Sequence, residues 1–135
     1  MLRDEFGTRI RPMGLAENPE KLHDTPRGWE TRTVFSSSVG CQHLQRGCEA
    51  LYDAERALGG GLIVARYSLM NPGTIVKEHR SGQNFRLKLH LGLVVPAGAR
   101  LHFRRHSFAW EEGKVTVLDD FYSHRVFALR SDICN

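Results

Sequence analysis

Asn84-Phe-Arg-Leu-Lys-Leu-His-Leu-Gly-Leu-Val-Val-Pro96 is the stretch on which the fold turns. Leu87, Leu89, Leu91 and Leu93 alternate with Arg86, Lys88, His90 and Gly92, the two-residue period of a β-strand. The spacing predicts one strand over residues 85–95, ended by Pro96-Ala-Gly98. Outward from it, 62–70 reads as a strand turned by Asn71-Pro-Gly73, 99–110 as another turned by Glu111-Glu-Gly113, and 114–118 as a third. Short antiparallel strands at spacings of about ten residues, with Gly and Pro turns, argue for a sandwich or barrel. The fold class is all-β dominated.

The N-terminal part has a different character. Pro12, Gly14, Pro19, Pro26 and Gly28 punctuate residues 1–40 and predict irregular chain, with one short strand at Glu30-Thr-Arg-Thr-Val-Phe35. Leu44, Cys48, Leu51 and Leu58 recur near helical spacing, which predicts a helix over 44–58 stopped by Gly59-Gly-Gly61. The 135 residues therefore divide into an irregular and helical part, 1–61, and a β core, 62–135, within one expected domain.

Composition narrows the partners. Nineteen basic against 15 acidic residues give +4, a mild excess, and Arg104-Arg105 between His102 and His106 reads as a solvated strand face. No Lys/Arg run of the kind that grips nucleic acid is present. No run approaches the roughly 18 apolar residues that a membrane-crossing helix needs. Met1-Leu-Arg-Asp-Glu-Phe6 is charged where a signal peptide would carry its apolar core. Of the three cysteines, Cys41 and Cys48 enclose a short polar loop; a local disulfide and free buried thiols both suit them, and Cys134 leaves the count odd.

Chemistry concentrates on two histidines that flank the alternating stretch. His79 ends Thr74-Ile-Val-Lys-Glu-His79, and His124 ends Asp119-Asp-Phe-Tyr-Ser-His124. Singly, each reads as a surface or hydrogen-bonded side chain. Brought together by a β fold, two neutral imidazoles hold one borderline divalent metal and leave most of its sphere open, as catalytic sites do. A two-histidine, one-carboxylate triad would place Asp or Glu two residues after His79, but Arg80 and Ser81 follow. Asp119 and Asp120 read as caps of a strand-end turn. The Arg86, Lys88, His90 face reads either as water-facing or as the lining of a cavity that binds carboxylates, and Gly92 on that face marks a close approach.

Together these motifs resemble the aspartyl/asparaginyl β-hydroxylase family of Fe(II)- and 2-oxoglutarate-dependent oxygenases. The resemblance runs over residues 66–126 and rests on Tyr67-Ser-Leu-Met-Asn-Pro-Gly-Thr74, Leu87-Lys-Leu-His-Leu-Gly-Leu-Val-Val-Pro96, and Trp110-Glu-Glu-Gly-Lys114 through Asp119-Asp120 to His124. Trp29-Glu-Thr-Arg-Thr-Val-Phe35 and the Cys41/Cys48 pair extend it, and animal-type members are similar in carrying a disulfide there. It implies a double-stranded β-helix of the jelly-roll or cupin-like kind, with a short N-terminal helical and irregular segment. It implies His79 and His124 as the iron ligands, without a carboxylate. Lys88 and His90 would contact the C1 side of 2-oxoglutarate, Ser68 its distal carboxylate, Trp29 would wall the pocket, and Arg86 would face the substrate carboxylate.

The implied reaction is hydroxylation at the β-carbon of aspartyl or asparaginyl residues in a peptide or protein, with molecular oxygen consumed and 2-oxoglutarate converted to succinate. The sequence departs from the family twice. Lys88 stands where animal members have arginine, a point charge in place of a bidentate fork. The arginine that the family carries on a further strand falls at Cys134, with Arg130 the nearby cation. Three alternatives follow: a metal-binding or interaction module without turnover, a lipid acyl-chain hydroxylase relative, and a cupin-like binder without oxygen chemistry. The compartment implied is the endoplasmic reticulum, with the cytoplasm as alternative.

Overall fold

A computed structural model of the chain describes residues 2–17, 28–42 and 46–127. The chain forms two compact units, Met1–Ala16 with Glu30–Leu69, and Glu17–Trp29 with Met70–Asn135.

The first unit opens with short helical turns, α1 (Leu2–Glu5), a π-helical turn (Phe6–Ile10) and α2 (Arg11–Met13). The sequence predicted irregular chain here, because Gly14 and Pro12 mask a helical run that ends only at Gly14 (φ 85°). Strands β1 (Ala16–Glu17), β2 (Trp29–Ser36), β3 (Gly40–Cys41) and β4 (Val64–Met70) form one sheet in which β2 takes the other three as partners. Helix α3 spans Arg46–Ala57. Its first N–H groups, on Arg46 and Gly47, donate to the buried Glu5 carboxylate at 2.8 and 2.7 Å. An anion there satisfies donors that the helix cannot pair itself. Gly59, Gly60 and Gly61, all at positive φ, end the helix as the sequence predicted.

A disulfide joins Cys41 on β3 to Cys48 on α3 across a Cα separation of 5.7 Å. It closes a short loop, seven residues apart in sequence. Reduction, or Cys48→Ser, is expected to lower unfolding stability by about 2–3 kcal/mol, read as a shift of the urea midpoint with and without reductant. An unchanged midpoint would show that the helix-to-strand packing holds this corner without the bond.

The second unit is two antiparallel sheets. One has the order β5-β10-β7-β8, with β5 at Ile75–His79, β7 at Arg100–Phe103, β8 at His106–Ala109 and β10 at His124–Phe127. The other pairs β6 (Lys88–Leu91) with β9 (Val115–Leu118). Val76, Leu101 and Val126 from the first sheet meet Leu118 from the second in one buried cluster, with Trp29, Met70 and Trp110 packed against it. The β-rich class and antiparallel pairing agree with the sequence reading.

Two details correct it, and a third, at Gly92, agrees. The strand expected over 85–95 pairs only over Lys88–Leu91, because the Glu111–Gly113 turn ends its partner and Gly92 bridges singly to Glu112. The close approach marked by Gly92 is the Glu111 carbonyl, which would lie 2.6 Å from a Cβ there. The strand expected over 99–110 is a hairpin, β7–β8, turned at Arg104. Arg104 adopts φ 56° with its guanidinium 4.0 Å over the Tyr122 ring, so a cation–π contact accompanies a conformation usually left to Gly or Asn.

Candidate functional site

Register places the two histidines side by side. His124 of β10 pairs with His79 of β5, and Val126 pairs with Val76. Two residues on β10 thus span three on β5, a bulge that leaves Lys77 and Glu78 opposite Arg125. In an unbulged strand, Val76 and His79 would point to opposite faces. The bulge turns both inward, one into the core and one beside His124. The imidazole centroids lie 4.3 Å apart.

Each ring is oriented by a carbonyl two residues earlier. His79 Nδ1 lies 2.7 Å from Lys77 O, and His124 Nδ1 lies 2.9 Å from Tyr122 O. A carbonyl only accepts, so both Nδ1 atoms carry a proton, and in the neutral rings both Nε2 atoms keep a lone pair. Metal-ligating histidines are oriented in this way. Burial pushes the His124 imidazole below its ordinary pKa, and the neighbouring His79 and Lys88 add to the effect.

The second sheet supplies the polar wall. Lys88 pairs with Leu118 and His90 with Thr116, so Lys88 and His90 share the inward face with Leu118. The leucines take the outside: Leu87, Leu89 and Leu91 are 60%, 53% and 40% exposed. Lys88 and His90 thus lie on the face turned towards Leu118, with 39% of the Lys88 side chain still exposed. Burial, helped by Lys88 and His124, lowers the His90 pKa to about 4, leaving a neutral ring. Trp110 Nε1 donates to His90 Nδ1 at 3.2 Å.

Asp120 is the residue that the sequence reading placed wrongly. Asp119 does cap the turn, accepting from Phe121 N at 3.2 Å. Asp120 instead is 1% exposed and lies 3.1 Å from Lys88 Nζ and 3.9 Å from Arg86 Nη2. Thr116, Leu118 and Asp120 continue one inward alternation, a period-2 signal that was present in the sequence. Removing the charge by Asp120→Asn leaves two cations facing a buried amide. Lys88 and Arg86 are 39% and 35% exposed, which screens them. The expected loss is about 2 kcal/mol in urea unfolding, reduced when Lys88→Met is combined with it; strict additivity would show that the ion pair carries no stability.

The other expected site residues distribute as follows. Arg86 donates to Ser81 Oγ at 3.3 Å beside Asp120. Trp29 packs on the core of the second unit. Ser68 is exposed on β4 of the first unit. Cys134 and Arg130 lie outside the described residues.

Does this donor set suit a divalent ion? Two imidazoles with centroids 4.3 Å apart, each tied to a carbonyl through Nδ1, suit a borderline metal. Asp120 Oδ1 is buried and has no hydrogen-bond partner among the described residues, as an acceptor reserved for a donor near the ring pair would be. Among the described residues no group of three or more His, Cys, Asp or Glu is arranged to hold an ion. The residues fit a metal with an open sphere. No helix of the described residues is long and apolar enough to cross a membrane.

The profile of the family described as Aspartyl/Asparaginyl beta-hydroxylase matches residues 3–132. The aspartyl/asparaginyl beta-hydroxylase of Mus musculus is 36% identical over 88 residues, covering 64% of this chain and 12% of that protein. Aspartate beta-hydroxylase domain-containing protein 2 of Mus musculus is 30% identical over 131 residues, covering 91% of this chain and 38% of that protein. The ornithine lipid ester-linked acyl 2-hydroxylase of Rhizobium tropici is 31% identical over 110 residues, covering 79% and 39%. The chain thus spans well under half the length of these relatives.

Proposed function

This chain belongs to the aspartyl/asparaginyl β-hydroxylase family, and from that premise we propose that it is an iron- and 2-oxoglutarate-dependent dioxygenase acting at the β-carbon of aspartyl or asparaginyl residues. The observation that carries the reading is the bulge-aligned pair His79 and His124, each with Nδ1 tied to a carbonyl and Nε2 left as a lone pair. We assign the two facing sheets of the second unit to a double-stranded β-helix.

In this reading His79 and His124 hold iron(II). Iron(II) held there would supply the oxidising chemistry that couples conversion of 2-oxoglutarate and oxygen into succinate and carbon dioxide to hydroxylation of a substrate carbon. The chain's own residues position and shield. The Lys77 and Tyr122 carbonyls keep both rings from turning. Lys88 and His90 offer a cation and a neutral donor to the C1 carboxylate of the co-substrate. Asp120 balances Lys88 and Arg86 and holds them at the inner face, where Arg86 is available to a substrate carboxylate. Trp29, Met70 and Trp110, packed over the core cluster, keep water from the apolar side.

The test is succinate formation from 2-oxoglutarate by the purified chain with Fe(II), ascorbate and a peptide bearing Asp or Asn. Succinate that tracks added Fe(II), with a 16 Da gain on the peptide from the added oxygen atom, supports the reading. Iron-dependent succinate with no peptide gain, but a gain on an ester-linked acyl chain, would transfer the substrate to the lipid class. That second reading is favoured by the likeness to the Rhizobium tropici acyl hydroxylase. Neither iron binding nor succinate would remove both.

A further inference from the structure

We infer that Trp110 is a positioning residue whose indole N–H holds His90 in its Nε2–H tautomer, so that the inner face of β6 presents a neutral hydrogen-bond donor beside the Lys88 ammonium to a carboxylate-bearing ligand. The ligand class rests on the proposed function; the role of Trp110 does not.

An indole nitrogen donates and cannot accept. Its bond to His90 Nδ1, at 3.2 Å, therefore requires that nitrogen to be bare. A neutral imidazole has one proton, which must then sit on Nε2. The cationic form would set an Nδ1–H against the indole N–H, two donors face to face, so Trp110 opposes it as well. His79 and His124 meet carbonyls at the same ring position and take the other tautomer. Three imidazoles of one site are thus sorted by the neighbour at Nδ1: two keep an Nε2 lone pair, and one keeps an Nε2 proton. Had His90 faced a carbonyl too, it would turn a lone pair towards a carboxylate and repel it.

Trp110 is itself held in place. Its ring packs against the buried cluster of the second unit and lies at 31° to the His90 ring. The segment that follows is pinned to the strand of His90: Gly113 N donates to Gly92 O at 2.8 Å, and Gly92 admits the Glu111 carbonyl where a Cβ would meet it at 2.6 Å. Gly92 lies two residues from His90, so one local clamp sets both partners of the hydrogen bond.

The decisive experiment is nitrogen NMR of the metal-free protein labelled at histidine, at neutral pH. The expected spectrum has His90 protonated at Nε2, with His79 and His124 protonated at Nδ1. Trp110→Phe keeps an aromatic ring but no donor, and is expected to give His90 a mixture of tautomers. In the Zn(II)-loaded protein, calorimetry with 2-oxoglutarate is expected to show Trp110→Phe weakened roughly three- to tenfold. In a His90→Phe background the same substitution should have no further effect.

A wild-type His90 protonated at Nδ1 overturns the inference without any variant being made. An unchanged tautomer in Trp110→Phe also overturns it, as does an equal loss of affinity in the His90→Phe background, which would mark packing alone. If the tautomers are as expected but wild type binds no 2-oxoglutarate, the proposed co-substrate fails while the positioning role of Trp110 is upheld.

Discussion

His124→Ala is expected to weaken divalent-ion binding at least on the order of a hundredfold and to abolish iron-dependent succinate formation. Second-sphere partners of metal ligands alone are worth about 10- to 100-fold in affinity. Removing one of two protein ligands outright must cost more, because a single imidazole cannot chelate. His124 is buried beside the core, so its truncation also leaves a small cavity. His79→Ala separates the two effects: that ring is half-buried, and its loss should match the fall in ion affinity with a smaller fall in melting temperature. Competition for Zn(II) against a chromogenic chelator, with thermal melts as the folding control, reads both. Ion affinity within threefold of wild type in either variant would show that the register-paired rings are not the metal centre.

How far the site could be read from the sequence depends on which physical signal placed each residue. The alternation of Leu87 to Leu93 against Arg86 to Gly92 was legible, and Lys88 and His90 do share a face. Which face turns inward was not, because a polar wall around a site inverts the usual burial rule. The meeting of His79 with His124 depends on a bulge opposite Arg125. Nothing in Ile75-Val-Lys-Glu-His79 marks it, since no Gly or Pro stands there. The Arg104 turn escaped for the same reason: an arginine at φ 56° carries no turn signature. Asp120 could have been found by extending the Thr116, Leu118 alternation by one step. It was lost to the stronger association of an Asp pair with turns, which holds only for Asp119.

These misses share a cause. Local composition reports what a residue does when its surroundings are ordinary, and the inner face here is built from exceptions: a buried carboxylate beside half-exposed cations, a bulge without glycine, histidines among cations. Such departures from local consistency concentrate where function is carried. A carboxylate buried against a cation that keeps 39% of its side chain exposed adds little net stability. Their presence at Lys88 and Asp120 is better accounted for by what they orient than by what they stabilise.

Acid is expected to expose the cost of keeping these histidines uncharged. Burial, with Lys88 and His124 alongside, holds the His90 pKa down to about 4 against an ordinary 6.5, and Asp120 offsets only part of this. Between those values the unfolded chain binds a proton that the folded one refuses, so stability rises with pH across the interval. The contribution is complete above pH 6.5, shrinks as pH falls, and is gone once the folded pKa has been passed. For His90 it amounts to on the order of 3 kcal/mol, and the lowered pKa of His124 acts in the same direction. Urea unfolding of the metal-free protein from pH 7 to pH 4 should show this fall. Carboxylates begin to titrate near the acid end, so the comparison that isolates the ring is His90→Phe, whose stability should decline less steeply by up to about 1.4 kcal/mol per pH unit. Parallel pH profiles for wild type and His90→Phe would mean that the ring takes up its proton in the folded protein as freely as in the unfolded one, and that the polar face of β6 is wet.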